Sequence, residues 1–288
     1  VFAPAKINLI LRILDRRPDG YHNLGSLMQT VQLEDALELS LSDHHSTISV
    51  RCDEPSLKAG PSNLAYRAAA AVLGQNGQTV GLDLVLAKRI PMGAGLGGGS
   101  SDAATTIAGL NRLLNLGWSK EKMASIGQTL GSDVPFFFFA PSAIVEGRGE
   151  KVAPVRIKGG RWIVLVNPGF PVETKWAYQE LSGSRMGVQP LSSMHAGLRN
   201  ASELSWEEVL QAAENDFEAT VFKAYPGLHK IKQKLLTEGA EVALLSGSGA
   251  TVFGVFRDEP TARQAEIGFR TEPHLKVYTV STLSDSWP

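Results

Sequence analysis

The chain has 288 residues, 43% of them hydrophobic and 20% charged, with a formal net charge of −1. That composition predicts a globular protein with a real core, split into two medium domains. It excludes the basic footprint of a nucleic-acid binder.

The opening string "VFAPAKINLILRIL" is broken by Pro4, Lys6 and Asn8 and lacks the layout of a signal peptide. Its start on Val1 reads as a trimmed N-terminus. No apolar run approaches the roughly 20 residues that span a bilayer, so no membrane partner is expected. The single cysteine, Cys52, leaves no internal disulfide and points to a cytoplasmic setting. The six histidines lack zinc-helix spacing.

Alternation predicts a first strand to about Leu14, with Ala5, Ile7 and Leu9 on one face and Lys6, Asn8 and Ile10 on the other. Pro18-Asp19-Gly20 in "RRPDGYH" is a turn. Strands follow over 27–41 and 46–52. "SNLAYRAAAAVLG" predicts a helix capped by Ser62 and ended by Gly74. "GLDLVLAKRIP" is a strand running into a glycine-rich loop. Ala103, Ile107, Leu110 and Leu114 then recur at helical spacing, and another helix spans Ser119 to about Leu130. Asp133 precedes "PFFFF", read as a core strand. Beyond a break near 154–160, "RWIVLVN" is a buried strand, and 182–200 reads as a mobile surface loop. "ALLSGSGATVFGVF" is strand–turn–strand, followed by a helix near 260–269 and a strand near 275–281. The mixture lacks a regular βαβ rhythm and predicts two α+β domains.

The strongest signal is "PMGAGLGGGSSDAA", 91–104, with five glycines in residues 93–99. Such a loop brings backbone N–H groups close to a ligand and opens into a helix N-terminus, an anion site suited to a polyphosphate. Ser100 and Ser101 are placed to cap the helix or donate to phosphate. A Rossmann loop would need a later acidic residue at a strand end, and a Walker A loop a Gly-Lys-Ser/Thr. Neither is present. From the residues alone, Lys6 reads as a surface lysine or a catalytic one, and Asp133 as a turn residue or a catalytic carboxylate.

The pattern P-x-G-x-G-L-G-G-G-S-S resembles the ATP loop of the GHMP kinases. "PAKINL" resembles that family's first motif and "LLSGSGATVFGVF" its third, in the same order and spanning residues 4–256. The resemblance implies a two-domain α+β fold with the active site in the cleft. Its N-terminal ATP-binding domain is of ribosomal-protein-S5-like type, 1–155. Its C-terminal, substrate-binding domain is ferredoxin-like, 156–288. It implies ATP with Mg²⁺ as cofactor. The ATP-binding residues would be Pro91, Met92, Gly93, Ala94, Gly95, Leu96, Gly97, Gly98, Gly99, Ser100 and Ser101, with Asn63 at the adenine. Lys6 and Asp133 would be catalytic, a weak carboxylate base being enough for a loose phosphoryl-transfer transition state.

"RPDGYHNL" and "GSDVPFF" are similar to a branch of the family whose acceptor alcohol carries a cytidine diphosphate. Ser132 departs from the alanine expected there. The resemblance implies that Tyr21 and His22 form one side of a cytosine sandwich and Tyr178 the other. Thr174 would lie near the diphosphate, and Asn8 at the acceptor hydroxyls. Gly247, Ser248 and Gly249 would border the substrate phosphates. "ENDFE", 214–218, reads as structural. The metal ligands are left open, since Asp102 reads equally as a charge favouring the helix N-terminus. Monomer and weak dimer both remain open. Two alternatives stand beside this reading, another GHMP small-molecule kinase and a nucleotide-binding protein without catalysis. Intact Lys6 and Asp133 argue against the second.

Overall fold

A computed structural model describes residues 1–57, 60–77, 80–184, 197–198 and 200–284. The first sheet and its helices comprise β1 (Phe2–Arg16), β2 (His22–Ser42), β3 (Ile48–Cys52), α1 (Leu64–Asn76), β4 (Gly81–Ala87), α2 (Gly98–Leu113), α3 (Lys120–Gln128), α4 (Val134–Phe137), β5 (Ser142–Gly147) and β6 (Lys151–Pro154). There follow β7 (Arg156–Ile157), β8 (Trp162–Asn167), α5 (Thr174–Ser184), β9 (Glu203–Leu204), α6 (Trp206–Ala212), β10 (Glu214–Asn215), α7 (Glu218–Ala224), α8 (Pro226–Thr237), β11 (Val242–Leu245), β12 (Val252–Phe256), α9 (Glu259–Gly268) and β13 (Lys276–Ser281).

The fold is the expected α+β type with two main sheets. One runs β10-β1-β2-β4-β3, with β5 and β6 continuing from β2; the other runs β11-β12-β8-β13. The long β2 serves two neighbours beside β1. Residues 24–29 pair with β5 and residues 36–42 with β4. No helix among the described residues is long and apolar enough to cross a membrane.

Between the two sheets lies a core in which Ala5, Ile7 and Leu9 meet Leu165, Leu244 and Phe253. That leaves Lys6 and Asn8 on the opposite face of β1, as the alternation predicts. Ile10 departs from it, joining the inter-sheet core while Leu11 and Ile13 enter the other cluster. The cause is a register shift between Asn8 and Ile10. A bulge adds one residue and exchanges the faces of everything after it.

Three local expectations are also corrected. The phenylalanine run is helix, not strand: α4 carries Pro135 in its first turn and buries Phe136 and Phe137. A short apolar run has no period to separate the two states, and proline favours a helix start. Helix α1 is capped by Asn63, whose side chain accepts from Ala65 N–H, and it ends at Gly77 with φ 62°; Ser62 and Gly74 lie one residue outside and well inside it. Helix α2 is capped by Gly97 without any side-chain bond, so Ser100 and Ser101 sit in its first turn. The expected loop over 182–200 falls largely on 185–196 and 199, outside the described residues.

Candidate active site

The glycine loop is an alternating chain. Gly93, Gly95 and Gly97 have φ of 60°, 76° and 70°, while Ala94 and Leu96 between them are buried. The apolar side chains anchor the loop and the positive-φ glycines turn successive N–H groups toward one side, as an anion-binding nest does. Because α2 has no side-chain cap, its first N–H groups are left without a side-chain acceptor and can serve an anion. A Cβ on Gly95 would lie 1.9 Å from Ser246 O, and one on Gly97 would lie 2.8 Å from Lys6 Cγ. The loop thus threads between the turn after β11 and the stem of Lys6.

A cavity of about 490 Å³ is lined by residues 91–100, Asn63, Lys88, Asp102 and Thr174. Asn63 spends its Oδ1 on the α1 cap, and its buried Nδ2 has no partner. That donor is unsatisfied until a ligand acceptor reaches it. Lys88 is almost fully buried between Asp35 and Asp102, bonded to both carboxylates, 2.8 Å from Asp102 Oδ2. Asp35 Oδ1 in turn accepts from Arg89 N and Ile90 N at 2.6 and 2.9 Å. This triad joins the loop's entry to the N-terminal half of α2. Burial pushes the Asp102 carboxyl up to about 7 against the opposing pull of Lys88.

A second cavity of about 1000 Å³ contains Tyr21, His22, Asp133, Thr174 and Tyr178. Ser100 and Thr174 line both cavities, so the two meet there. Lys6 lines neither cavity; it lies behind Gly97 of the loop and beside Asp133 of the larger cavity. Its Nζ is 3.5 Å from Asp133 Oδ2 and donates to Asn8 Oδ1 at 2.6 Å. Lys6 is 3% exposed. Asp133 makes no capping bond to the α4 backbone, which removes the turn-residue reading. Ser101 is fully buried, its hydroxyl unpartnered, and lines neither cavity.

Asn8 lines neither of these two cavities. Its Oδ1 accepts a hydrogen bond from Lys6 Nζ and its Nδ2 donates to Ser26 Oγ at 2.9 Å, so its amide orients Lys6 rather than facing an acceptor hydroxyl. Gly247, Ser248 and Gly249 are not among the residues lining these two cavities, but Ser248 Oγ lies 2.9 Å from Thr174 Oγ1 of their shared lining.

The aromatic end is not an open slot. His22 stacks on Tyr178 at 5.1 Å and 25°, already at the separation of paired rings, so no base fits between these two. Tyr178 is held from behind by Phe217, edge-on at 4.8 Å. Burial, then the Asp133 charge, push its phenol above the usual range, so it stays protonated. Sequence reasoning missed the cations of this cavity, Arg16, Arg148 and Lys175. Arg148 lies 4.6 Å over the Tyr21 ring. Its signal was the arginine in "EGRGE", yet only folding brings β5–β6 to the Tyr21 turn.

Burial, and next Arg16, hold the His22 imidazole below its ordinary 6.5. The lowered value means the neutral ring is favoured by the fold. Its stabilising contribution is complete above pH 6.5 and fades as pH falls below that. A proton NMR titration of His22 is expected to give a midpoint under 6.5; a midpoint above it would contradict the packing described.

Family models place this arrangement. That of the GHMP kinases N terminal domain matches residues 63–140, and that of the GHMP kinases C terminal region matches 195–269. The chain belongs to the GHMP kinase family. It is 45% identical over 268 residues, 92% of each chain, to the 4-diphosphocytidyl-2-C-methyl-D-erythritol kinase of Geobacter sp. (strain M21). It is 44% identical, over 98% of each chain, to the enzyme of that name from Syntrophotalea carbinolica. A crystal structure of 4-(cytidine 5'-diphospho)-2C-methyl-D-erythritol kinase superposes with a TM-score of 0.78 at 33% identity, covering 97% of this chain and 98% of that one. Homoserine kinase from Cytophaga hutchinsonii, at 18% identity and TM-score 0.73, shares the fold.

Proposed function

We propose that this chain is an ATP-dependent kinase that phosphorylates the C2 hydroxyl of 4-diphosphocytidyl-2-C-methyl-D-erythritol. The products are the 2-phosphate and ADP, in non-mevalonate isoprenoid precursor synthesis. The observation that carries the reading is the Lys6–Asp133 pair, with Asp133 on the aromatic, basic cavity and Lys6 against the glycine loop. Phosphoryl transfer needs alignment and charge stabilisation more than a strong base. ATP lies along the glycine loop, with its adenine edge at Asn63. The acceptor lies in the larger cavity. Asp133 receives the hydroxyl proton, the hydroxyl oxygen bonds the γ-phosphorus, and the bond to the bridging oxygen breaks to release ADP. Lys6, oriented by Asn8, holds Asp133 and faces the reacting oxygens. Ser100 and Thr174 contact the groups that cross between cavities.

For the cytosine to lie between Tyr21 and Tyr178, the His22 ring leaves its stack on Tyr178 and takes the edge of the base. Arg16, Arg148 and Lys175 offset the diphosphate charge. Aromatic stacking on a base contributes about 1–3 kcal/mol, so Tyr178→Ala is expected to raise KM for the cytidine substrate about 5- to 150-fold. KM for ATP stays level. Equal KM values for the acceptor would remove Tyr178 from the base site.

The family implies magnesium. Among the described residues no cluster of three His, Cys, Asp or Glu could hold a metal, which fits a cation carried by phosphate oxygens and water. Asp102 is the carboxylate on the glycine-loop cavity, and its buried Oδ1 has no partner. It would supply the protein's oxygen, and the ion would neutralise phosphate charge. We place the division between the two domains at 155/156, with β10 returning from the second to pair with β1.

A coupled ADP-release assay tests the whole reading. Turnover is expected with the cytidine substrate and not with homoserine or phosphomevalonate. Turnover with either of the latter alone would favour another GHMP kinase activity, and none with any acceptor a binding protein.

A further inference from the structure

"ENDFE", 214–218, is read as structural from the sequence, yet its Asn215 is tied to the site. β10 runs parallel to β1, with Ile10 opposite Glu214 and Leu11 opposite Asn215. Asn215 is 6% exposed. Its Nδ2 donates to Leu245 O at 2.7 Å and to Gly247 O at 2.8 Å, and its Oδ1 accepts from Phe217 N–H at 2.9 Å. Leu245 is the last residue of β11, and Gly247 lies in the turn that follows it. The glycine loop leans on that turn, since Ser246 Oγ donates to Gly95 O at 3.0 Å and Thr251 N to Ala94 O at 3.2 Å. A Cβ on Gly247 would lie 3.5 Å from Lys6 Nζ.

The peptide joining Gly247 to Ser248 is trans, so its C=O and N–H point in opposite directions. By drawing Gly247 O toward itself, Asn215 turns the Ser248 N–H to the other side. Ser248 Oγ meets Thr174 Oγ1, and Thr174 lines both cavities. We propose that Asn215 is a positioning residue for phosphoryl transfer: its amide clamps the Leu245 and Gly247 carbonyls and so presents the Ser248 N–H to a phosphate oxygen where the two cavities meet. The proposal rests on the kinase reading above. Asn215 itself lines neither cavity. The required chemistry is a paired donor, which asparagine has and its isostere aspartate lacks.

Asn215→Asp keeps the shape and the bond from Phe217 N–H while removing both donors. Assayed well below its melting temperature, it is expected to lose about tenfold or more in kcat, or to raise tenfold the KM of one phosphate-bearing substrate. Leu235→Ala, in the fully buried core of α8, serves as the comparison. It is expected to lower Tm with kcat unchanged, which separates lost stability from lost positioning. Values of kcat and both KM within twofold of wild type in Asn215→Asp would overturn the proposal.

Where that variant fails to fold, the wild-type protein decides. The amide resonance of Ser248 is expected to shift on adding a non-hydrolysable ATP analogue or cytidine diphosphate. A shift with the first alone assigns the γ-phosphate, with the second alone the acceptor diphosphate, and no shift with either overturns the proposal. Wild-type protein inactive on the cytidine substrate would instead defeat the acceptor assignment, and the amide titration would still read the clamp.

Discussion

Asp133→Asn is expected to lower kcat by about 10²- to 10⁴-fold, the range for losing a positioned proton acceptor. The asparagine keeps the size of the side chain, so KM for ATP and for the acceptor should change little. Folding is expected to stay intact. Asp133 sits at the entrance to α4, and Val134, Pro135, Phe136 and Phe137 behind it are buried whatever occupies position 133. The backbone N–H groups of α4 do not depend on its carboxylate, which makes no capping bond. Lys6 loses its partner 3.5 Å away but keeps Asn8. Because a third of the Asp133 side chain is exposed, the ion pair itself contributes little stability. Steady-state kinetics with a circular-dichroism melt measures both sides. A variant with kcat within threefold of wild type would mean that orientation alone drives the transfer.

Gly95→Ala should be as damaging, through geometry rather than charge. The residue has φ 76°, where an L-residue pays about 1–2 kcal/mol. The added carbon would stand 1.9 Å from Ser246 O, a backbone atom, so the loop or the turn must move. That motion breaks the Ser246 Oγ to Gly95 O bond and disperses the N–H groups aimed at the triphosphate. KM for ATP is expected to rise at least about 100-fold, with stability lower by about 2–4 kcal/mol. Gly74→Ala is the counterpart. Gly74 lies inside α1 with open space around its Cα, so the same methyl should stabilise by up to about 1 kcal/mol. Calorimetric ATP affinities for the pair decide the matter, and a Gly95→Ala protein with affinity near wild type would refute the close-approach account.

Much of the site was legible in the sequence because its signals are local. Glycine density marks a backbone that must enter positive φ, and three alternate glycines do. The spacing of Lys6 against Ala5, Ile7 and Leu9 places it on the face opposite the inter-sheet core. The phenylalanine run announces burial. It does not announce its secondary structure, since apolar side chains carry no period over four residues. Asn8 illustrates the next limit. Its face is predictable, but whether its amide serves a ligand or Lys6 depends on Ser26, 18 residues away.

The remaining features depend on contacts between distant segments. Arg148 reaches Tyr21 only because β5 pairs with β2. Asn215 clamps the end of β11 and the turn after it, 30 and 32 residues later, while pairing with a strand some 200 residues earlier. The sequence by itself determined the glycine loop, the helix that follows it, the core-forming strands and the family, all encoded in runs of neighbouring residues. Tertiary structure decided which face Ile10 takes, what Asn8 and Asn215 bond, and which cations line the acceptor cavity. A hydrogen bond or ion pair is a short-range interaction, and the partner's position is known only once the sheets have closed on each other.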